Sequence, residues 1–352
     1  MAATRHSGLE CLRIISIILI VSMHILGNTF HTSNLLNKEF ILFVNTLGNT
    51  GVTLFILISG YFGIRFNTHK FFKMLVVVWF YSIVSYLIET IWLHTPHTWT
   101  GLASSLIPIL SKKYWFITIY IILYILSPCL NKLALSISKN HFKSILFIGF
   151  FIIYVWHTLS FILNFNRPID DAGYGIPNFI YLYLLGRYIK LHGNIYTIKQ
   201  NILLLYFIIC MSLFTFQLTY SIILGFSFTA LFSYNTIFVF LGSVALFLFF
   251  AKLNIGYNSF INKWAKYCLA VYVIHTNADF FAKLYEFSQV SQIPPIWFIP
   301  YSLLISTIMY FAFALVEQVR LYFFDKIENI MNNRIMQTEI AQNIEYRIKL
   351  TA

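Results

Sequence analysis

Residues 11–28 read CLRIISIILIVSMHILGN, a stretch in which Arg13 is the one residue that carries a full charge at neutral pH. Its length is close to the roughly 20 largely apolar residues that a helix needs to cross a bilayer. Arg13 and His24 would spoil the apolar core of a cleavable signal peptide, and no cleavage site of small residues follows the stretch. We therefore expect a retained transmembrane helix.

The remainder of the chain repeats this apolar pattern. Of its 352 residues, 59% are apolar and 10% are charged, whereas soluble domains contain about 25% charged residues. Because a chain this apolar cannot cover itself with polar side chains in water, the composition predicts an all-α, polytopic integral membrane protein with about ten transmembrane helices. The predicted spans are 11–28, 43–62, 71–93, 114–131, 144–163, 176–190, 202–220, 234–251, 266–283 and 296–319.

The distribution of basic residues predicts how these spans are oriented. If the amino terminus lies in the cytoplasm, the inner segments hold 18 of the 24 Lys and Arg residues and the outer segments hold 5. This asymmetry predicts that both termini are cytoplasmic, in a multi-pass protein of the plasma (inner) membrane. The net charge of +12 then reflects topology, and no nucleic acid partner is expected. Residues 1–320 are predicted to form the membrane domain and residues 321–352 a polar cytoplasmic tail.

The first span contains polar residues that are unusual inside a bilayer. Arg13 and His24 are eleven residues apart, about three helical turns or 16 Å, and therefore lie on one face, with Glu10 one turn before Arg13. Charged groups in this environment are costly and often functional. Since an imidazole titrates near neutral pH, His24 is a possible general base, and Arg13 would hold an anionic group or orient the site. Alternatively, Arg13 reaches the inner headgroups and His24 bonds to a neighbouring helix.

Four stretches resemble a known family of membrane proteins, the acyltransferase 3 family, and they follow one another along the chain in the family's order. This family includes O-acetyltransferases of surface polysaccharides. Arg13 and His24 match the spacing of an Arg and a His on the first helix of that family. Residues 51–62, GVTLFILISGYF, are similar to its second-helix pattern, and residues 269–275, LAVYVIH, are similar to its late Tyr and His helix. Residues 114–128, YWFITIYIILYILSP, resemble the exopolysaccharide acetyltransferase branch.

The resemblance implies that the acyl donor is acetyl-CoA on the cytoplasmic side, with His24 catalytic and Arg13 in support. It also implies a donor site before the third helix, where this chain has Arg65, Lys70 and Lys73. Many relatives carry two arginines there, and lysine lacks the bidentate fork of arginine, so an ordinary positive-inside cluster is the alternative. Thr53 stands where many relatives carry Asp, so no carboxylate acts at that position.

Three aromatic or imidazole residues are candidates for the acceptor side. Tyr114 and Trp115 either stack on a sugar or belong to the aromatic belt at the outer interface, and His275 either lines the cavity or bonds to another helix. The expected partners are a surface polysaccharide or lipid-linked glycan and membrane lipids. The four cysteines lack metal-site spacing, so no metal is expected.

Two chemical routes and two other functions stay open at this point. The sequence lacks the Ser-x-x-Lys and Gly-x-Ser-x-Gly patterns of serine nucleophiles. His24 is then either the base in direct attack by a sugar hydroxyl or a transient acyl carrier. A flippase for lipid-linked sugars is the main rival, although the chain has no internal repeat of the kind that many transporters show. A sensor or scaffold without catalysis is the third possibility.

Overall fold

The computed structural model describes residues 6–27, 35–111, 113–163, 171–194, 197–225, 233–277, 285–286, 289–339, 342–343 and 345–346. These residues form helices and connecting segments without any strand, which confirms the predicted all-α class. The helices are α1 (Ser7–Gly27), α2 (Leu35–Phe62), α3 (Thr68–Ile91), α4 (Trp99–Leu106), α5 (Trp115–Ser136), α6 (Lys139–Phe150), α7 (Trp156–Ile162), α8 (Ile176–His192), α9 (Gln200–Ile223), α10 (Ile237–Lys252), α11 (Ser259–Trp264), α12 (Cys268–His275) and α13 (Pro295–Met336). A π-helical turn, Phe151–Val155, joins α6 to α7.

Seven helical stretches of the described residues are long and apolar enough to cross a membrane, and they comprise α1, α2, α3, α5, the joined α6 and α7, α9 and α13. Each of the ten predicted spans coincides with a helix, but three of these helices are short. α8 has 17 residues, α10 has 16 and α12 has 8, and the last part of the predicted span 266–283 lies outside the described residues. A polytopic membrane protein is thus supported, whereas the number ten and the cytoplasmic termini stay predictions.

The outward side chains of these helices suit a lipid environment. On α9, for example, Leu205, Phe216 and Ile223 are largely exposed. Water contact with such side chains is unfavourable, at about 25 cal/mol for each Å² of apolar surface, whereas lipid contact is not. The exposed faces therefore support the membrane assignment that the composition predicts.

The chain divides into two compact units. Unit 1 comprises Met1–Gly63, Leu133–Ala265 and Val290–Ser306. Unit 2 comprises Ile64–Lys132, Lys266–Gln289 and Thr307–Ala352. The predicted catalytic residues fall in unit 1, and the predicted donor and acceptor residues fall in unit 2.

Glycines allow the helices of unit 1 to pack closely. A Cβ atom added at Gly51 would lie 2.7 Å from the Ile20 side chain of α1, and one added at Gly60 would lie 2.2 Å from the carbonyl oxygen of Tyr183 in α8. Gly186 of α8 faces the backbone of α2 in return, at the carbonyl oxygen of Leu57. Small residues at such crossings let helix backbones approach in membranes, where the hydrophobic effect contributes little.

The helices of unit 1 run in alternating directions. Gly8, at the amino end of α1, lies beside the carbonyl oxygens of Phe250 and Leu253 at the carboxyl end of α10. The carboxyl end of α2 is at this end too, because Phe62 lies beneath Arg13 of α1. This arrangement agrees with the alternation that the charge pattern predicts.

In unit 2, polar contacts join the antiparallel helices α3 and α13. Lys73 lies 3.2 Å from Asp325, and the Asn332 amide donates a hydrogen bond of 3.0 Å to the carbonyl oxygen of His69. The predicted boundary at residue 320 falls inside α13, which continues as one helix to Met336. Residues 321–336 therefore pack on α3 as a helix, and the cytoplasmic location of the segment 321–352 stays a prediction.

Candidate functional site

The first turns of α1 contain an ion pair. Nη1 of Arg13 lies 3.1 Å from each carboxylate oxygen of Glu10, one turn earlier in the helix. Glu10 is buried, Arg13 is half-buried, and the Arg13 guanidinium lies 5.9 Å from the centroid of the Phe62 ring at the end of α2. The hydrogen bonds that Arg13 makes with described residues all leave from Nη1. Its Nε and Nη2 make no hydrogen bond with a described residue.

His24 lies near the carboxyl end of α1 and is half-buried. Because each helical residue turns by about 100°, its direction differs from that of Arg13 by about 20°. The preceding residue, Met23, packs on α2, where a Cβ added at Gly48 would lie 2.6 Å from the Met23 Cβ. The predicted base therefore lies beside the point at which α1 touches the middle of α2.

A cation of α8 and two aromatic rings meet at the carboxyl end of α2. Nζ of Lys190 lies 4.7 Å from the centroid of the Tyr61 ring, and the Tyr61 and Phe62 centroids are 5.6 Å apart. Arg187, one turn before Lys190, has a buried Nε without a hydrogen-bond partner among the described residues. The sequence analysis treated Arg187 and Lys190 only as topology signals. Their position beside the motif at 51–62 becomes visible only when α8 is packed on α2.

A row of buried polar side chains follows one side of α2. Asn45, Asn49 and Thr53 recur at every fourth residue and are at most 1% exposed. Asn45 Oδ1, Asn49 Nδ2 and Thr53 Oγ1 are buried without a hydrogen-bond partner among the described residues. The sequence analysis noted only Thr53. Polar residues at a spacing of four in an apolar helix were the signal that it missed.

The predicted donor segment leads into α3 in unit 2. Asn67 caps this helix, since its Oδ1 accepts a hydrogen bond of 2.8 Å from the backbone nitrogen of Lys70. Arg65 and Lys70 are exposed, and Lys73 is half-exposed and paired with Asp325. A helix amino terminus with three basic side chains is a favourable environment for phosphate groups. The donor role of these residues stays a prediction.

The structure brings Tyr114 and the end of α12 together. The Tyr114 hydroxyl donates a hydrogen bond of 3.0 Å to Oδ1 of Asn277, two residues after His275. Tyr114 is 1% exposed, so membership of an exposed aromatic belt does not explain it. Trp115 is half-buried, and both of its interpretations stay open.

His275 is buried within the same region of unit 2. Its Nδ1 lies 2.8 Å from the carbonyl oxygen of Val271, which can only accept a hydrogen bond. Nδ1 therefore carries the proton of the neutral ring, and Nε2 is the nitrogen with the lone pair. This tautomer suits the acceptance of a hydrogen bond from a hydroxyl group.

Lys113 precedes Tyr114 and is half-buried, although the sequence analysis counted it only as a loop charge. Its Nζ lies 3.1 Å from Oγ of Ser105 and 3.4 Å from the carbonyl oxygen of Ser82. Burial lowers the pKa of Lys113, and the nearby Glu89 carboxylate acts in the opposite direction. The ammonium group is thus held by neutral oxygens beside Tyr114.

The sequence analysis also missed a buried charged network between α3 and α13. The Glu317 carboxylate accepts two hydrogen bonds from Arg320, at 2.7 and 2.8 Å, and one of 2.7 Å from the Tyr81 hydroxyl. Arg320 also contacts Glu328, and its guanidinium lies 5.3 Å from the centroid of the Phe80 ring. Every group of this network has a partner, which is the arrangement expected of a network that holds two helices together.

The chain matches a known protein family over most of its length. A sequence model of the acyltransferase 3 family, described as an acyltransferase domain, matches residues 6–314. Comparison with curated proteins and with solved structures gave no match. The family match covers most of the chain, from the start of α1 into α13, and the apolar helices are those of a membrane protein. The chain therefore belongs to the acyltransferase 3 family and is a membrane acyltransferase.

Proposed function

We propose that the protein transfers an acetyl group from cytoplasmic acetyl-CoA to a hydroxyl of a cell-surface or lipid-linked glycan, with His24 as the central catalytic residue. The observation that carries this proposal is the arrangement on α1. A half-buried imidazole lies about three turns along one helix face from an arginine whose Nε and Nη2 are left for a ligand. Membership of an acyltransferase family supports the acyl-transfer chemistry.

In the direct route, His24 takes the proton from the acceptor hydroxyl. The hydroxyl oxygen then attacks the thioester carbonyl carbon, a C–O bond forms, and the C–S bond breaks. The imidazolium returns its proton to the leaving thiolate, so that the products are the ester and the free thiol. In the covalent route, the imidazole attacks the thioester carbonyl carbon, a C–N bond forms, and the C–S bond breaks to release the thiolate. The acceptor hydroxyl then attacks the acyl carbon, a C–O bond forms, the C–N bond breaks to restore the imidazole, and the hydroxyl proton passes through the imidazole to the thiolate.

Arg13 supports either route from the cytoplasmic side. Glu10 holds it through a single nitrogen, which orients the guanidinium without using its other donors. Guanidinium groups bind phosphate through paired hydrogen bonds. Arg13 is therefore suited to a phosphate or carbonyl group of the donor, and Glu10 is a positioning residue.

The proposal is tested with His24→Ala. We expect transfer from labelled acetyl-CoA to glycan to fall to background while the membrane level of the protein is unchanged, because no other group on α1 replaces the imidazole. The ester content of the glycan is measured by mass spectrometry. His141→Ala, which removes an exposed imidazole of α6, is the matched control and should transfer normally.

Near-normal transfer by His24→Ala would refute both routes. Glycan export is measured in the same strains, because the rival flippase function predicts loss of export. Loss of the ester with normal export supports the transferase.

A further inference from the structure

We propose that α2 supplies the hydrogen-bonding groups of the reaction site: Asn49 donates to the acyl carbonyl oxygen, and Asn45 accepts from the attacking hydroxyl. This inference rests on the proposed function, because it assigns the partners of these amides to the two reacting groups. The ligand class is an acyl thioester together with an alcohol.

The side-chain amides of Asn45 and Asn49 are buried, and each has one polar atom that is not hydrogen-bonded to a described residue. Asn45 and Asn49 are each 1% exposed, and Asn45 Oδ1 and Asn49 Nδ2 have no hydrogen-bond partner among the described residues. A buried polar group without a partner costs free energy, so proteins contain few of them. Groups of this kind are therefore expected where a ligand provides the missing partner.

Two hydroxyl groups of the same helix have hydrogen-bond partners. The hydroxyl of Thr46 donates to the carbonyl oxygen of Phe43, and that of Thr50 donates to the carbonyl oxygen of Leu47, each at 2.7 Å. A short hydroxyl reaches its own helix backbone, as it does here. The satisfied hydroxyls of Thr46 and Thr50 thus contrast with the neighbouring row of Asn45, Asn49 and Thr53.

Asn45 and Asn49 of this row lie at the same level as His24 along the axes of α1 and α2. Gly48, which touches Met23 of α1, lies between Asn45 and Asn49 in sequence, and His24 follows Met23. Since α1 and α2 are antiparallel, the two amides lie just before and just after the contact that brings His24 to α2. The distance along the helix is therefore short enough for one small ligand to meet all three side chains.

His24 and Asn45 also face the same side of the pair formed by α1 and α2. α10 contacts α1 at Gly8 and α2 at Tyr61, whose ring centroid is 5.5 Å from that of Phe247. His24 is sixteen residues after Gly8, and Asn45 is sixteen residues before Tyr61, a rotation of about 160° in each case. Both side chains thus point away from α10. His24 and Asn45 consequently share the side of the α1 and α2 pair that α10 does not cover.

The chemistry of acyl transfer needs these two kinds of group. Attack on the thioester puts a negative charge on the carbonyl oxygen, and side-chain amide donors are known to stabilise such an oxyanion. The Asn49 Nδ2 group can donate there, while Asn45 Oδ1 accepts from the hydroxyl until its proton passes to His24. Asn49 is the residue with the larger expected effect, because its partner gains charge in the transition state.

The test is Asn49→Leu, which keeps a similar volume and removes the amide. We expect kcat to fall roughly 100-fold, with the KM for acetyl-CoA unchanged and the midpoint of thermal unfolding unchanged or raised. A rise is expected because an unpaired buried amide is replaced by an apolar group. Thr50→Val, on the same helix with a satisfied hydroxyl, is the matched control and should keep the wild-type kcat.

The opposite results overturn the inference. A wild-type kcat in Asn49→Leu would show that the amide serves packing or bound water alone. If Asn49→Leu does not fold, Asn49→Ser decides, because it removes both amide donors with little disturbance. Normal kcat in the serine variant overturns the inference, and a comparable loss supports it.

Failure of the inference can be separated from failure of the proposed function. If the wild-type protein transfers acetyl and Asn49→Leu transfers equally well, the inference alone is wrong. If the wild-type protein does not transfer acetyl from acetyl-CoA, both are wrong. Asn49→Gln provides a further readout, since it restores an amide donor on a longer side chain and should recover part of the lost kcat.

Discussion

The buried ion pair of α13 in unit 2 and the buried amides of α2 in unit 1 have opposite environments. In unit 2, Glu317 and Arg320 are 5% and 4% exposed, and both are fully paired. In unit 1, Asn45 and Asn49 are buried at least as deeply, yet each amide has an atom without a partner among the described residues. A saturated network holds helices together, whereas an unsaturated amide keeps its capacity for a ligand. We infer that the network of Tyr81, Glu317 and Arg320 serves stability and that the amides of α2 serve binding.

Removing the cation of the saturated network should have the largest effect on stability. Arg320→Met leaves Glu317 as a buried carboxylate without its cation and frees Glu328. We expect the free energy of unfolding to fall by about 3–5 kcal/mol. It is measured by chemical unfolding in detergent. Arg334→Met, on an exposed part of the same helix, is the control and should change little.

A loss below about 1 kcal/mol in Arg320→Met, the range typical of exposed ion pairs, would contradict the stabilising role of the network. The paired charges of unit 2 would then contribute no more than exposed ones. In the same assay, Asn49→Leu should leave the free energy of unfolding unchanged or raise it, because its buried amide is unpaired.

Close backbone contacts between helices stabilise unit 1, whereas ion pairs stabilise unit 2. Gly60→Ala places a methyl group 2.2 Å from the Tyr183 carbonyl oxygen, so α2 and α8 must separate. We expect a loss of about 1–3 kcal/mol in the free energy of unfolding. Gly27→Ala, where a Cβ has no neighbour within 4 Å, is the control. Equal effects of the two changes would show that the α2 and α8 contact is not tight.

Hydropathy alone was sufficient to predict most of the fold. Long apolar runs such as 202–220 predict helices because the bilayer requires every backbone group to be bonded within its own segment. The helical spacing of Glu10 and Arg13 similarly predicts their contact, which the structure shows at 3.1 Å. Both predictions depend on residues close in sequence.

Features that depend on distant residues were missed. Arg320 was interpreted as an inner-segment charge, because its burial depends on α3, where the Tyr81 ring, with its centroid 5.9 Å from the guanidinium, is 239 residues earlier in the chain. Asn45 and Asn49 were overlooked although their spacing is visible in the sequence, and only the structure shows that each amide has a buried atom without a hydrogen-bond partner among the described residues. The short helix α8 also shows that packing by Gly186 can hold a helix of marginal length in place.

The smallest expected effect on stability concerns the partly exposed ion pair of Lys73 and Asp325 in unit 2. The side chains of Lys73 and Asp325 are 36% and 47% exposed, and such pairs contribute at most about 1 kcal/mol to the free energy of unfolding. Asp325→Asn should therefore leave stability within this limit. If Lys73 also binds donor phosphates, the change frees its ammonium group from a competing carboxylate. The KM for acetyl-CoA should then fall, by up to about fivefold for the same 1 kcal/mol.

The control for Asp325→Asn removes the same charge elsewhere. Glu339→Gln neutralises an exposed carboxylate of the carboxyl-terminal segment, so a general change in surface charge would affect the donor KM equally in both variants. A lower KM in Asp325→Asn alone places Lys73 in contact with the donor. An unchanged KM in both removes Lys73 from the donor site, and the contact with Asp325 then belongs with the other helix-joining pairs of α3 and α13. The result thus decides whether the basic residues at the start of α3 also bind the donor, in addition to holding helices together.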